Sequence, residues 1–195
     1  MTITINGNGT VTGVSVGGLP DGIVDTDMIA NAAATDIKRG PGSVLQVVST
    51  EIAGNITSNS AGVLATGLIT TVTPKQAGSK FYITVDGITG HANVTTVTNY
   101  GAKYFMYVSV NGGTYANAAS AHIGSTYING NIDQWLDFPA SMGYFDTPSY
   151  SLGETVAYQP YYEKGQNTTS DVYFNHVGGN GTNQRVTQVV MEIAQ

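Results

Sequence analysis

The chain has no cysteine, which excludes disulfides and thiolate metal sites. Charge is scarce as well. Only 10% of its 195 residues are Asp, Glu, Lys or Arg, and the acids outnumber the bases, giving a formal net charge of −6. Seven basic residues in an acidic chain lack the footprint of a nucleic-acid binder, and the same balance disfavours anionic membrane surfaces. No apolar run approaches the roughly 18 residues that read as a spanning helix. The opening Met1 to Ile5 has no basic region and no long apolar core, so it does not read as a secretory signal. The expectation is a soluble protein without nucleic-acid or membrane partners.

Signatures of catalysis are missing too. There is no GxSxG, HExxH or P-loop. His91, His122 and His176 stand too far apart for a local metal site, and each reads as a loop or surface residue. Asp21, Asp25 and Asp27 lack the spacing and distal Glu of a calcium loop, so helix capping explains them better. Glu51, Glu154, Glu163 and Glu192 are scattered rather than paired, as glycoside cleavage would need. No catalytic residue, cofactor or metal is expected.

What the chain does have is glycine, of which there are 25, and 41% hydrophobic residues arranged in alternating runs. Low charge, many β-branched residues and Gly/Asn turns point to an all-β protein. Strands are predicted over Ser43–Thr50, Gly67–Thr73, Lys80–Val85, Tyr104–Val110, Asp133–Phe138, Thr155–Tyr162, Asp171–Phe174 and about Val186–Ile193. In the first, Val44 and Val48 fall on one face and Leu45 and Val47 on the other. In the last, Val189, Met191 and Ile193 share a face. Asn111-Gly112-Gly113 reads as a turn. Seven to nine strands with turn signals between them suggest a β-sandwich or jelly roll. Several strands are apolar on both faces, which suggests that the outer face of one sheet meets another subunit.

The first forty residues differ. Thr2 to Val16 alternates around Asn6-Gly7-Asn8-Gly9 and reads as an extended arm or small hairpin. A short helix is predicted next, with Asp25 as N-cap and Asp27 in the first turn. Gly40-Pro41-Gly42 ends it. Such a helix is marginal alone in water, since nucleation is costly and few turns follow. Its narrow stripe of Val24, Met28, Ile29, Ala32 and Ala33 is best sheltered against copies of itself, which makes these the candidate oligomerisation residues. The boundaries expected are 1–42 for an anchoring and oligomerisation arm and 43–195 for a β-sandwich domain.

Several segments carry a resemblance. Gly13-Val-Ser-Val-Gly-Gly-Leu-Pro-Asp-Gly-Ile-Val-Asp-Thr-Asp-Met-Ile-Ala is similar to a stretch common in fibre-type virion proteins of tailed bacteriophages. Pro41-Gly-Ser-Val-Leu-Gln-Val-Val-Ser-Thr, Gly67-Leu-Ile-Thr-Thr-Val-Thr-Pro, Ser79-Lys-Phe-Tyr-Ile-Thr-Val and Val190-Met-Glu-Ile-Ala-Gln resemble, in order, strands of the β-domain that follows it there. The resemblance implies a homotrimeric β-domain in a fibre, spike or head decoration, joined to other virion proteins through its arm. It covers under half of the residues, and the stretch from Gly87 to Tyr127 matches nothing.

Tyr158, Tyr161, Tyr162, Tyr173 and Phe174 form the remaining constellation. Exposed tyrosines bind sugar rings through a flat apolar face and a hydroxyl, so the tyrosines are candidate contacts for a host-surface glycan. The competing and favoured reading packs alternate members into the core. Taken together, the sequence predicts a non-enzymatic virion protein, all-β, with a jelly-roll-like sandwich behind an arm carrying one short helix. A tail fibre or fibre tip contributing to host attachment comes first. A capsid decoration or head-fibre protein is the alternative, and a glycan-cleaving tailspike a distant third.

Overall fold

Runs of β-branched and aromatic residues alternating with polar ones fill most of the chain after Gly42, and these runs form its strands. A computed structural model describes residues 4–5, 11–12, 40–53, 56–58, 62–93, 97–120, 122–132, 135–164, 172–175 and 185–195. Two compact units divide the chain, residues 1–38 and 39–195. In the first, β1 (Thr4–Ile5) pairs antiparallel with β2 (Val11–Thr12), Ile5 opposite Val11. The predicted helix and its stripe, Val24, Met28, Ile29, Ala32 and Ala33, lie outside the described residues.

The second unit is all-β, with no helix among its described residues. Its strands are β3 (Val44–Ala53), β4 (Ile56–Ser58), β5 (Leu64–Ala65), β6 (Thr70–Val72), β7 (Lys80–Asn93), β8 (Val97–Val110), β9 (Ala116–Asn117), β10 (Gly124–Ile132), β11 (Trp135–Asp146), β12 (Val156–Lys164), β13 (Val172–Phe174) and β14 (Arg185–Ile193). Every pairing is antiparallel. Sheet I runs β3-β14-β7-β13-β4, with β11 on the other edge of β7. Sheet II runs β10-β8-β12-β5, with β6 also on β12 and β9 on β8. The two sheets enclose one core in a sandwich-like arrangement.

That core is built from alternate residues, as a pleated strand requires. Sheet I contributes Phe81, Ile83, Val85, Ile88, Met142, Val186 and Val190; sheet II contributes Val72, Ala102, Tyr104, Met106, Val156, Tyr158 and Tyr162. Burying side chains of this size stabilises by about 1.5–3 kcal/mol each. Polar contacts also cross the core. Thr70 Oγ1 on β6 donates to Gln188 Oε1 on β14 at 3.1 Å, and the Tyr158 hydroxyl donates to Asp146 Oδ2 at 3.0 Å.

Three departures from simple alternation shape the unit. In β7, Ile88 pairs with Ala140 but Val85 pairs with Met142, so Asp86 and Gly87 together oppose Ser141. This is a β-bulge, and Gly87 occupies it with φ at +83°. Asp86-Gly87 looks like a turn in the sequence, yet the strand continues eight residues past Val85 to Asn93. In β3 the register shifts between Val44 and Gln46, opposite Ile193 and Glu192. Leu45 is therefore buried at 6% exposure while Val47 stands 57% exposed. The expectation that Leu45 and Val47 share a face is corrected by this bulge.

The third departure is an inversion. On β14 the aliphatic set Val189, Met191 and Ile193 faces outward and is only half-buried, whereas Val186, Gln188, Val190 and Glu192 face the core. Glu192 is tolerated there because donors surround it. Its Oε1 accepts from Lys75 N–H (2.8 Å), Gln76 N–H (3.1 Å) and the Ser79 hydroxyl (2.8 Å); its Oε2 accepts from Gln46 Nε2 (2.6 Å) and Lys75 N–H (3.0 Å). The carboxylate thereby fastens the loop between β6 and β7 to the last strand. Tyr150 ties down the same loop, accepting from Ser79 N–H and donating to the Gln76 carbonyl.

The first and last strands lie side by side. Gly42 N–H donates to the Ala194 carbonyl at 2.8 Å, and Ala194 N–H donates to Ser43 at 2.9 Å. At the end of β8, Asn111 (φ 51°) and Gly112 (φ 71°) turn the chain, closed by Gly113 N–H to the Val110 carbonyl. Two successive positive φ values match a type I′ turn.

Candidate functional site

No three His, Asp or Glu side chains converge among the described residues as a metal would need. The features that stand out are the outer faces of the two sheets, which differ in chemistry.

The outer face of sheet I carries a row in register across four strands: Val47, Met191, Tyr82 and Phe145. Tyr82 and Phe145 stack, with ring centroids 4.4 Å apart. Gly143 makes room for this, since a Cβ there would sit 3.1 Å from the Tyr82 hydroxyl. Lys80 Nζ lies 5.8 Å from the Phe145 ring centroid, within cation–π reach. Val44, Val189 and Ile193 widen the row, and Val47 and Phe145 are more than half exposed. The Arg185–Glu51 ion pair lies toward the opposite end of β14 and β3.

The outer face of sheet II is aromatic. Tyr161 on β12 pairs with Phe105 on β8, and its ring stacks diagonally on Tyr107 at 4.0 Å and 24°. The turn at the end of β8 brings in Tyr115, which inclines to Tyr161 at 6.4 Å and 47°. Phe105 meets His122 edge-on at 6.3 Å. Tyr107, Tyr115 and Tyr161 are all partly exposed. Burial pushes the Tyr161 phenol above its usual pKa, with Tyr107 adding to the shift; burial and then Tyr161 do the same for Tyr115. Both stay protonated near neutral pH and remain hydrogen-bond donors. Lys103 and Glu163 beside them pair at 3.4 Å.

The structure separates the tyrosines that the sequence grouped. Tyr158 and Tyr162 are 0% and 1% exposed and point into the core, so they offer no surface to a ligand. Burial is the main cause lifting both phenols, Tyr162 to about 12. Tyr162 instead stacks on Phe174 at 5.8 Å. Tyr161, of the opposite parity, reaches the outside. Tyr173 is described only through its backbone, which pairs with Thr57 and His91. Tyr107 and Tyr115 were not among the sequence candidates. The outward parity of Tyr107 was visible in β8, whereas nothing local to Tyr115 announces its approach to Tyr161.

Compared with known protein families and with curated proteins, the chain matches no family and no individual sequence significantly.

Proposed function

We propose that this chain is a non-enzymatic virion structural protein of a tailed phage, a fibre or fibre-tip subunit that assembles as a homotrimer and contributes to host attachment. The strand orders support a jelly roll. With the short accessory strands set aside, β3-β14-β7-β11 faces β6-β12-β8-β10, the arrangement of two interleaved Greek keys.

The observation that carries the assembly is the inversion on β14. Val189, Met191 and Ile193 face outward, while a Gln and a Glu share the core face with Val186 and Val190. A solvent-facing sheet normally alternates the other way. Val44, Val47, Val189, Met191, Ile193, Tyr82 and Phe145 therefore make an apolar surface suited to a sister chain. The stripe Val24, Met28, Ile29, Ala32 and Ala33 would reinforce that contact from the arm, which would also join other virion proteins. The sheet left facing outward would be sheet II, with its tyrosines.

Immunogold labelling of phage particles with antibody raised against the purified chain tests the assignment, and native mass spectrometry tests the trimer. Gold at the tail supports a fibre. Gold over the capsid moves the chain to a head-fibre or decoration role, with the same fold and assembly. Unlabelled particles, or a monomer at every concentration, overturn the reading.

A further inference from the structure

The tyrosine face of sheet II has the makings of a specific site. Tyr107 and Tyr161 are locked by stacking, Tyr115 closes one side at 47°, and Phe105 extends the apolar floor. Rings fixed in this way lose little freedom on binding, which favours affinity for a small ligand. Three phenols supply hydroxyls beside flat apolar rings. That combination matches a pyranose, whose axial C–H groups present an apolar patch rimmed by hydroxyls.

The charge pattern narrows the ligand. On a chain of net charge −6, the ion pair beside this face among the described residues is Lys103 with Glu163, and the two neutralise each other. A strongly anionic or cationic ligand would find no counter-charge here, whereas a neutral polyol needs none. The contrast with sheet I points the same way. Its outer surface is dominated by valine, methionine and isoleucine, a composition that suits protein contact, while sheet II offers phenols and little aliphatic bulk.

We infer that Tyr161, Tyr107 and Tyr115 form a binding site for a neutral pyranose of a surface polysaccharide, with Tyr161 as the central contact. The biological use of the site rests on the attachment role proposed above; the binding itself does not.

The test is saturation-transfer NMR on the full chain with the methyl glycosides of glucose, galactose, mannose and N-acetylglucosamine, with methyl glucuronide as the anionic counterpart. Transfer is expected to the ring protons of at least one neutral glycoside and to be weaker for the glucuronide. Tyr161→Ala is expected to weaken binding about tenfold or more, the equivalent of roughly 1.4 kcal/mol, and Ser49→Ala, at an exposed position on the other sheet, to leave binding unchanged. Titration of wild-type protein carrying ¹³C-labelled tyrosine removes dependence on the fold of the variant, since the Tyr161, Tyr107 and Tyr115 signals must shift. Transfer to none of the neutral sugars, binding undiminished in a folded Tyr161→Ala, or shifts confined to other tyrosines would overturn the inference. Gold-labelled tails without sugar binding remove this inference alone; sugar binding by a chain missing from particles removes the virion assignment alone.

Discussion

Replacing Glu192 by Gln tests how the buried end of β14 is held. The native carboxylate is 0% exposed and faces donors: two backbone amides, one side-chain amide and one hydroxyl. Glutamine keeps the shape but turns one acceptor into a donor. If its oxygen stays with Lys75 and Gln76, its NH2 group points at Gln46 Nε2. Gln46 cannot simply flip, because the same nitrogen also donates to the Thr73 carbonyl at 2.8 Å. Bonds to a charged acceptor are each worth about 1.5–3 kcal/mol, against about 1 for neutral ones. Weakening several and setting one donor against another costs about 2–4 kcal/mol. For a unit of this size that lowers Tm by roughly 5–15 °C. Calorimetry gives Tm, and hydrogen exchange at the Lys75 and Gln76 amides locates the loss, since both should exchange faster while the β8–β12 ladder is protected as before. A variant that melts within about 1 °C of the parent, with those amides unchanged, would refute the view that this carboxylate holds the loop.

Other expectations follow from single contacts. Gly87→Ala should destabilise by about 3 kcal/mol or more, because positive φ costs roughly 1–2 kcal/mol and the new Cβ would lie 2.6 Å from the Arg185 carbonyl oxygen; Gly67→Ala, with φ at +76° but open space, should lose only the conformational part, and urea titration separates the two. Lys164 is buried at 7% exposure, and its Nζ has no hydrogen-bond partner among the described residues. Lys164→Met should therefore raise stability by about 1–3 kcal/mol, the cost of an unpaired buried polar group, and a fall in Tm would contradict this. Burial lifts the Asp146 carboxyl above 3.8, with hydrogen bonds from Tyr158 and Thr147 N–H opposing the shift. A raised folded pKa means that this group's stabilising contribution is full below 3.8 and fades as pH rises through the folded value. Asp146→Asn should remove that part of the pH dependence, seen as a flatter Tm profile on the acid side, from pH 3.8 upward, than that of the parent.

Much of the sandwich was legible in the sequence because a strand buried on one face writes a period of two. Lys80–Val85 and Tyr104–Val110 show it plainly, with Phe81, Ile83 and Val85, and then Tyr104 and Met106, all in the core. The reading stopped short at Asp86-Gly87 because a bulge and a turn call for the same residues. On β14 alternation put Val189, Met191 and Ile193 on one face, as found, but could not tell which side that face covers, since hydrophobicity marks what is covered without saying whether the cover is the core or something else. Parity alone could have divided Tyr161 from Tyr158 and Tyr162. Tyr115 could not have been found in this way, because its meeting with Tyr161 depends on strand pairing distant in sequence. The role of Glu192 was hidden for a related reason: its donors on residues 75–79 come from more than a hundred positions earlier.

The neighbouring placement of β3 and β14 has a mechanical consequence. The two strands run antiparallel, with the start of one beside the end of the other. Tension applied between residues 43 and 194 would act across the ladder, peeling its pairs one at a time rather than loading them all in shear. Held by one end, the sandwich would bear no such peeling force. Loaded through both of these ends, it would make a poor link in a stretched cable.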